Sequence, residues 1–357
     1  MKPVLFITGN VPAYRAGALA RLHELEGIEV ATFGGSSTHG GPARSEELPF
    51  PHRQVSPSEV WGLARSGAHR GVICSTGGRL ALLGGWAGAR RAGLPLILWA
   101  SLWAHPRTLA HTLSYPALLR LYRSADALVT YGPHVSDYVS ARGARNVHVA
   151  PQSVDNDFWR APAGPEPALD GPAAAARMRF LFVGREAGEK GLSVLKEAWW
   201  RAGLPEEDAA LLLAGPGPAG SMDERIHRLG PLSPERLRDV YAACDVLVVP
   251  SIRTATFREP WGLVVNEAMN RSLAVIASDE VGAAAGGMVR DGENGLIVPA
   301  SDGIALAAAI RRLAEDPELC ARLGGAGAET VLAFSHEAWA KGFSRALGTV
   351  GLSRGHW

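Results

Sequence analysis

Cysteine is scarce in this 357-residue chain, with three in all: Cys74, Cys244 and Cys320. They stand far apart, form no C-x-x-C pair and are odd in number. A disulfide framework is therefore excluded as a source of stability, and a reducing cytoplasm fits. Charge of one sign is also missing: the net charge is +1, so no global field gathers nucleic acid or an anionic membrane. The eleven histidines form no H-x₃-H or H-E-x-x-H array, and no structural metal site is expected. No apolar run approaches the ~18–20 residues of a membrane span. The apolar stretch Val4–Thr8 is too short for the hydrophobic part of a signal peptide and runs straight into Gly9 and Asn10, so it reads as a first strand.

What is present is a globular composition, with 47% hydrophobic and 20% charged residues. At ~100–200 residues per domain the length predicts two domains. Short apolar runs alternate with helix-length segments. The runs in the first half are Val4–Thr8, Ile28–Phe33, Gly71–Ser75, Leu94–Ala100, Ala127–Tyr131 and Val147–Ala150. Between them lie the helical segments Gly17–Leu25, Arg79–Ala92, Thr108–Ser124 and Val135–Ala141. Fully apolar strands separated by helices predict parallel sheets covered on both faces. A Pro/Ala/Gly-rich stretch, 161–176, then interrupts the pattern and predicts a linker. The series restarts at Met178–Val183 and continues through Ala210–Ala214, Asp245–Pro250, Leu273–Ala277 and Gly295–Val298, with helices expected near Gly191–Trp200, Pro234–Ala243, Pro260–Asn270, Ile304–Ala314 and Pro317–Leu332. The expected organisation is an N-terminal Rossmann-like domain over 1–160, the linker, and a C-terminal Rossmann-like domain over 177–335. A C-terminal helix at about 336–357 is expected to pack back on the first domain. Ligands of open parallel sheets sit beyond the carboxyl ends of the strands, which makes a cleft between the two sheets the expected site.

Four segments carry residues suited to chemistry. In the first, Phe180–Trp199, a strand ends at Gly184 and a loop bearing Arg185 and Lys190 leads into a helix near Gly191. Two cations at a helix N-terminus suit an anion, and equally read as solvated loop charges. A Walker loop is rejected, because Glu189 stands where the second glycine belongs and Gly191 where Ser or Thr belongs. The second segment, Arg258–Met269, holds Glu259 and Glu267 eight residues apart, with Pro260 placed in a first helical turn. If helical, that step spans ~12 Å, too far for an acid–nucleophile pair at one glycosidic bond but suited to two parts of one extended ligand. Trp261 and Gly262 would then offer backbone N–H groups to a diphosphate. In the third, Leu211–Pro218 runs as a strand into a Gly/Pro loop, and Ser233 before Pro234 reads as a helix N-cap. The fourth is Asp155-Asn156-Asp157, either a metal–diphosphate binder or an ordinary polar loop.

Taken together these segments resemble glycosyltransferase family 4, retaining sugar-nucleotide transferases of the GT-B fold. The likeness runs from Phe180 to Phe343: the V-G-R…K-G loop (Val183, Gly184, Arg185, Lys190, Gly191), the strand entry YAACDVLVVPS, the E-x₇-E pair with P-W-G-L between, and VRDGENGLIVPASD. The first domain matches more loosely, through NVPAYRAGALARL, ADALVTYGPHVSDYV and VHVAPQSVDNDFW. Members often continue E-A-M-A-x-G-x-P-V. Here Asn270, Ser272 and Ala274 take those places, which alters the turn into the next strand. The Gly-Gly loop of many members is replaced by Gly9-Asn10 with Pro12, Tyr14 and Arg15 following.

The resemblance implies an α/β GT-B architecture, two Rossmann-like domains with parallel sheets facing a central cleft. It also implies transfer of a hexosyl or related group from a nucleoside-diphosphate sugar to a hydroxyl acceptor with retention. Arg185 and Lys190 would clamp the diphosphate, where negative charge grows as the sugar leaves. Glu259 would hold the donor sugar and Glu267 the ribose. Gly184, Phe257, Pro260, Trp261, Gly262 and Leu263 would surround the donor, with Arg228, Leu229, Pro231 and Leu232 at the base. Asn10, Tyr14, Arg15 and Arg107 would meet the acceptor, and His105 is the candidate catalytic histidine. The leaving phosphate would take the acceptor's proton, so no cofactor and no metal is expected. The acceptor class stays open between a glycan, a lipid-linked group and a natural product. The alternatives are a GT-B-like epimerase or a protein that holds a nucleotide sugar without transferring it. An NAD enzyme is disfavoured because TGNVPAYRAG lacks G-x-G-x-x-G. High Ala, Gly and Arg usage points to a GC-rich bacterial source. Trp99–Trp103 is read as core, with a weak peripheral membrane contact through Arg107, Arg120 and Arg123 as the alternative, at the inner face of the membrane of a cytoplasmic protein.

Overall fold

The first seven strands are β1 (Val4–Thr8), β2 (Ile28–Thr32), β3 (His52–Gln54), β4 (Gly71–Ser75), β5 (Leu96–Ala100), β6 (Ala127–Thr130) and β7 (Val147–Val149). All their pairings are parallel, and they form one sheet in the order β3-β2-β1-β4-β5-β6-β7. Within β1, Leu5 and Ile7 face one core while Val4 and Phe6 face another. That alternation is why the strand reads as wholly apolar: both faces of the sheet are covered. The helix Arg79–Ala92 covers the first face through Ala81, Leu82 and Ala89. The helix Ala13–Glu26 and the C-terminal helix His336–Thr349 cover the second, the latter through Trp339 and Phe343.

A second sheet contains β8 (Met178–Val183), β9 (Ala209–Ala214), β10 (Gly220–Asp223), β11 (Ile226–Gly230), β12 (Val246–Val249), β13 (Ala274–Ser278) and β14 (Leu296–Val298). Its order is β10-β11-β9-β8-β12-β13-β14, and only β10 runs antiparallel. Phe180, Phe182, Leu211 and Leu213 form one core face with the helices Leu192–Ala202 and Gly303–Glu315. In both sheets the chain builds outward on one side, then crosses to build on the other. The strand order therefore reverses between β1 and β4, and between β8 and β12.

This computed structural model describes residues 1–34, 48–165, 168–217, 219–223 and 225–355. Pro218 of the Gly/Pro loop, two residues of the expected linker and the last two of the expected C-terminal segment lie outside them. The chain divides into two units, Met1–Asp155 with Phe334–Trp357, and Asn156–Ala333. The division thus falls at Asp155/Asn156, where the sequence reading puts a linker at 161–176. Residues of that stretch instead pack within the second unit: Arg271 donates to the Ala161 carbonyl, and Asp239 accepts from the Gly164 N–H at 3.1 Å.

One sequence expectation about a helix needs correcting. The helix expected over Pro260–Asn270 spans only Val264–Met269, so Pro260, Trp261 and Gly262 lie in the loop before it. The helical rise between Glu259 and Glu267 consequently does not apply, and a six-residue helix gives no dipole of consequence for a diphosphate. The helix after Lys190 begins at Leu192, preceded by a short 3₁₀ turn, Gly188–Lys190. Ser233 caps its helix, its side chain accepting from the Arg236 N–H at 3.2 Å.

Candidate functional site

The loops after β8 and β12 leave the sheet at its switch point, the place where open α/β sheets receive ligands. Gly191 is what lets them meet. Its φ is +69°, and a Cβ there would lie 1.9 Å from the carbonyl oxygen of Pro250, the first residue after β12. With the backbones this close, the Ile252 N–H donates to the Glu189 carbonyl at 2.9 Å. Lys190, the next residue, then reaches across: its Nζ donates to Glu259 Oε2 at 2.5 Å. The Lys190 side chain is 16% exposed and that of Glu259 2%. The Ser251 hydroxyl also donates to Glu259 Oε2, at 3.4 Å, and the Phe257 ring lies 5.7 Å from the ammonium. Two residues chosen separately from the sequence therefore form one charged centre.

Arg185 is placed differently. Its side chain is 48% exposed and pairs with Glu189, four residues on, at 3.2 Å, outside the Lys190–Glu259 pair. Beside it the ends of β8, β9 and β11 enclose a groove lined by Phe182, Gly184, Leu213, Gly215 and Arg228. Gly215 is obligatory there, because a Cβ would stand 2.2 Å from the Gly184 carbonyl. Arg228 closes the rim by pairing with Glu186. Of the expected base-side residues Arg228 lines the groove, whereas Leu229 and Leu232 are half-buried and Pro231 is exposed near the strand's end.

Glu267 sits on the short helix and accepts from the Tyr241 hydroxyl at 2.9 Å. Lost hydration pushes its carboxyl up to about 7, while the Tyr241 bond pulls the other way. Burial also holds the Tyr241 phenol well above its usual range. Trp261, expected to offer backbone to a diphosphate, buries its ring and donates from Nε1 to Asn266 Oδ1 at 2.8 Å. Sequence reasoning missed Ser251, Tyr241, Glu186 and Asn266. Tyr241 and Ser251 stand in the YAACDVLVVPS segment, but nothing local marks them as partners of the two glutamates.

In the first unit, Asn10 follows β1 at the other switch point and is half-buried. Arg15 corrects its sequence assignment to an acceptor. It is 3% exposed, bonded to Gln152, and its guanidinium lies 5.2, 5.4 and 5.2 Å from the Tyr14, Trp99 and Trp339 rings. As it stands it pins the C-terminal helix to the sheet through cation–π contact. His105 donates from Nε2 to the His111 carbonyl at 3.0 Å and packs its ring, tilted by 45°, 4.3 Å from that of Tyr115, which ties its loop to the helix Leu109–Ser124. Arg107 is exposed. Asp155 and Asp157 fall on either side of the division between units. Among the described residues no three His, Cys, Asp or Glu side chains group as metal ligands, and no helix is long and apolar enough to cross a membrane.

Two Rossmann-like units, each with its strand order reversed beside the first strand, define the GT-B class of α/β protein. Solved structures agree over nearly the whole chain. The HepE protein of Anabaena in complex with UDP superposes with TM-score 0.77 at 19% identity, covering 97% of this chain and 100% of that one. A sucrose-phosphate synthase from Thermosynechococcus elongatus gives TM-score 0.74 at 22% identity, covering 98% and 99%. The family model described as "Glycosyl transferases group 1" matches residues 177–316, which lie within the second unit. Among curated relatives, a phosphatidyl-myo-inositol mannosyltransferase of Mycobacterium leprae is 35% identical over 183 residues, 48% of this chain and 47% of the relative. A D-inositol 3-phosphate glycosyltransferase of Streptomyces avermitilis is 30% identical over 288 residues, 68% of this chain and 58% of the relative. The chain thus spans about half the length of the curated relatives it matches.

Proposed function

We propose that this chain transfers a sugar from a nucleoside-diphosphate sugar to a hydroxyl acceptor with retention of anomeric configuration. The observation that carries the reading is the Lys190–Glu259 pair at the switch point of the second sheet. A diphosphate arriving there draws Lys190 to its oxygens and frees Glu259 to accept hydroxyl hydrogens of the donor sugar. Arg185, exposed at the surface, exchanges Glu189 for a phosphate and adds the second cation. Both contacts strengthen as charge develops on the departing diphosphate, so they act on the transition state. That phosphate takes the acceptor's proton, and the chemistry needs no metal and no separate base. The groove under Arg228 takes the nucleoside, with Glu267 at the ribose. The family match of the second unit and the UDP in the Anabaena complex support a nucleotide-sugar donor.

The test uses two isosteric changes. Glu267→Gln should weaken donor and free nucleoside diphosphate alike, chiefly in KM, whereas Glu259→Gln should leave free nucleotide affinity intact and cut kcat. Calorimetric titration with UDP, GDP and dTDP beside steady-state kinetics reads both. Loss of nucleotide binding in Glu259→Gln with retention in Glu267→Gln would reverse the two assignments. Binding without sugar release to any acceptor would leave a nucleotide-sugar binder.

A further inference from the structure

The helix Leu109–Ser124 is sixteen residues long, yet only Leu121 and Tyr122 in it are buried. Its exposed positions are not polar: Leu109 is 77% exposed and Leu113 73%. The helix Arg79–Ala92 adds Leu80 at 71% and Leu83 at 41%. These helices are neighbours. Trp86 Nε1 donates to Ser124 Oγ at 3.2 Å and Arg90 donates to the Ser124 carbonyl, so their C-terminal ends meet. Each follows one of two adjacent parallel strands, β4 and β5, so their N-terminal ends rise together from one edge of the sheet. Leu80 and Leu83 lie on the N-terminal half of the first helix, and Leu109 and Leu113, one turn apart, on that of the second, so each helix presents an uncovered apolar face there. Such a face on a soluble domain marks an interaction surface.

The charge around it is one-sided. Between Glu59 and Asp126 the sequence contains no Asp or Glu at all, in a chain whose net charge is +1. Arg79, Arg107, Arg120 and Arg123 in this stretch are all exposed. A second copy of the chain would answer the leucines but would set arginine against arginine, since a twofold interface is made of the same patch twice. An anionic bilayer answers both, with hydrocarbon for the leucines and phosphates for the arginines.

We propose that this face seats the protein on an anionic lipid surface, lying in the interface without crossing it. The inference does not depend on the transferase reading. It places a lipid surface at the edge of the first sheet from which loops after β4 and β5 emerge.

Cosedimentation of the full chain with vesicles tests it. Phosphatidylglycerol/phosphatidylcholine vesicles should retain the protein at low salt, and pure phosphatidylcholine should retain it at least tenfold less. Leu109→Ser with Leu113→Ser should weaken binding on the order of tenfold or more, because both side chains lose their apolar burial. Arg79→Glu and Arg120→Glu should each cost roughly fivefold or more and flatten the salt dependence. All four side chains are solvent-exposed, so an unchanged thermal midpoint should accompany each loss. Equal binding to both vesicle types, no binding to either, or wild-type binding by the leucine variant would overturn the proposal. So would sedimentation velocity showing a dimer that the leucine variant dissociates.

Discussion

Replacing Glu267 with glutamine should stabilise this protein at pH 8 and leave it unchanged at pH 4. The wild-type carboxyl is shifted from 4.5 to about 7 by loss of hydration, with Tyr241 donating at 2.9 Å as a partial counterweight. The sign follows from proton counting. Between these two values the folded chain holds a proton that the unfolded chain has released, so stability falls as pH rises from about 4.5 to about 7. Above that window the full cost of an ionised, poorly hydrated carboxylate persists. At 1.36 kcal/mol per pH unit the cost comes to about 3 kcal/mol. A glutamine amide keeps an oxygen for Tyr241 and does not titrate, so the difference between variant and wild type isolates this one group. Urea unfolding of both proteins at pH 4, 6 and 8 measures it. The advantage of the variant should be absent at pH 4 and approach about 3 kcal/mol at pH 8. An advantage independent of pH, or a variant less stable at pH 8, would refute the reasoning. The same group links to the ligand: ribose hydroxyls donating to the carboxylate favour its ionised form, so nucleotide affinity should rise as pH passes 7 in wild type and stay flat in the variant.

The sheets were legible because strands buried on both faces read as unbroken apolar runs, which is why β1, β4, β8 and β13 stand out. The strands that went unread are β3, β10 and β11, and each lies toward an edge of its sheet. In β3, His52, Arg53 and Gln54 are all exposed, and backbone pairing alone makes it a strand. The helix expected from Pro260 was overextended because an apolar run with proline at its head satisfies the helix-start pattern equally well as a buried loop, and Trp261 fills that loop. Lys190 and Glu259 were both visible as candidates, but their contact was not. It spans 69 residues and exists because β8 neighbours β12 and Gly191 has no side chain. Arg15 was misjudged because it was read in the loop before the helix, where arginines are ordinarily solvated, whereas it lies in the first turn of the helix Ala13–Glu26. Its cage comes from Trp99 and Trp339, and no local pattern announces an aromatic box assembled from such distant segments.

Two further outcomes are expected. Lys190→Ala and Arg185→Ala should each lower turnover tenfold or more, since charge-assisted phosphate contacts are worth ~1.5–3 kcal/mol. Only Lys190→Ala should also cost stability, on the order of 3 kcal/mol, because it removes the cation paired with the 2%-exposed Glu259 carboxylate, whereas the Arg185–Glu189 pair is on the surface. Equal thermal midpoints for the two variants would contradict that distinction. The second outcome concerns Ser272, which stands where the resembling family usually has glycine. Its φ is +59°, in the left-handed region that a Cβ disfavours by about 1–2 kcal/mol. The side chain is exposed, and the conformation is imposed from the backbone: the Ser272 N–H donates to the Met269 carbonyl at 3.1 Å, and the Leu273 N–H to the Ala268 carbonyl at 3.2 Å. Ser272→Gly removes the strain and gives back part of the gain as greater freedom of the unfolded chain, roughly 0.5–1 kcal/mol. The net should be a stabilisation of about 0.5 kcal/mol in urea, while Ser272→Val, branched at Cβ, should lose about 1 kcal/mol or more. A glycine variant less stable than wild type would mean that the serine side chain contributes something the strain argument leaves out.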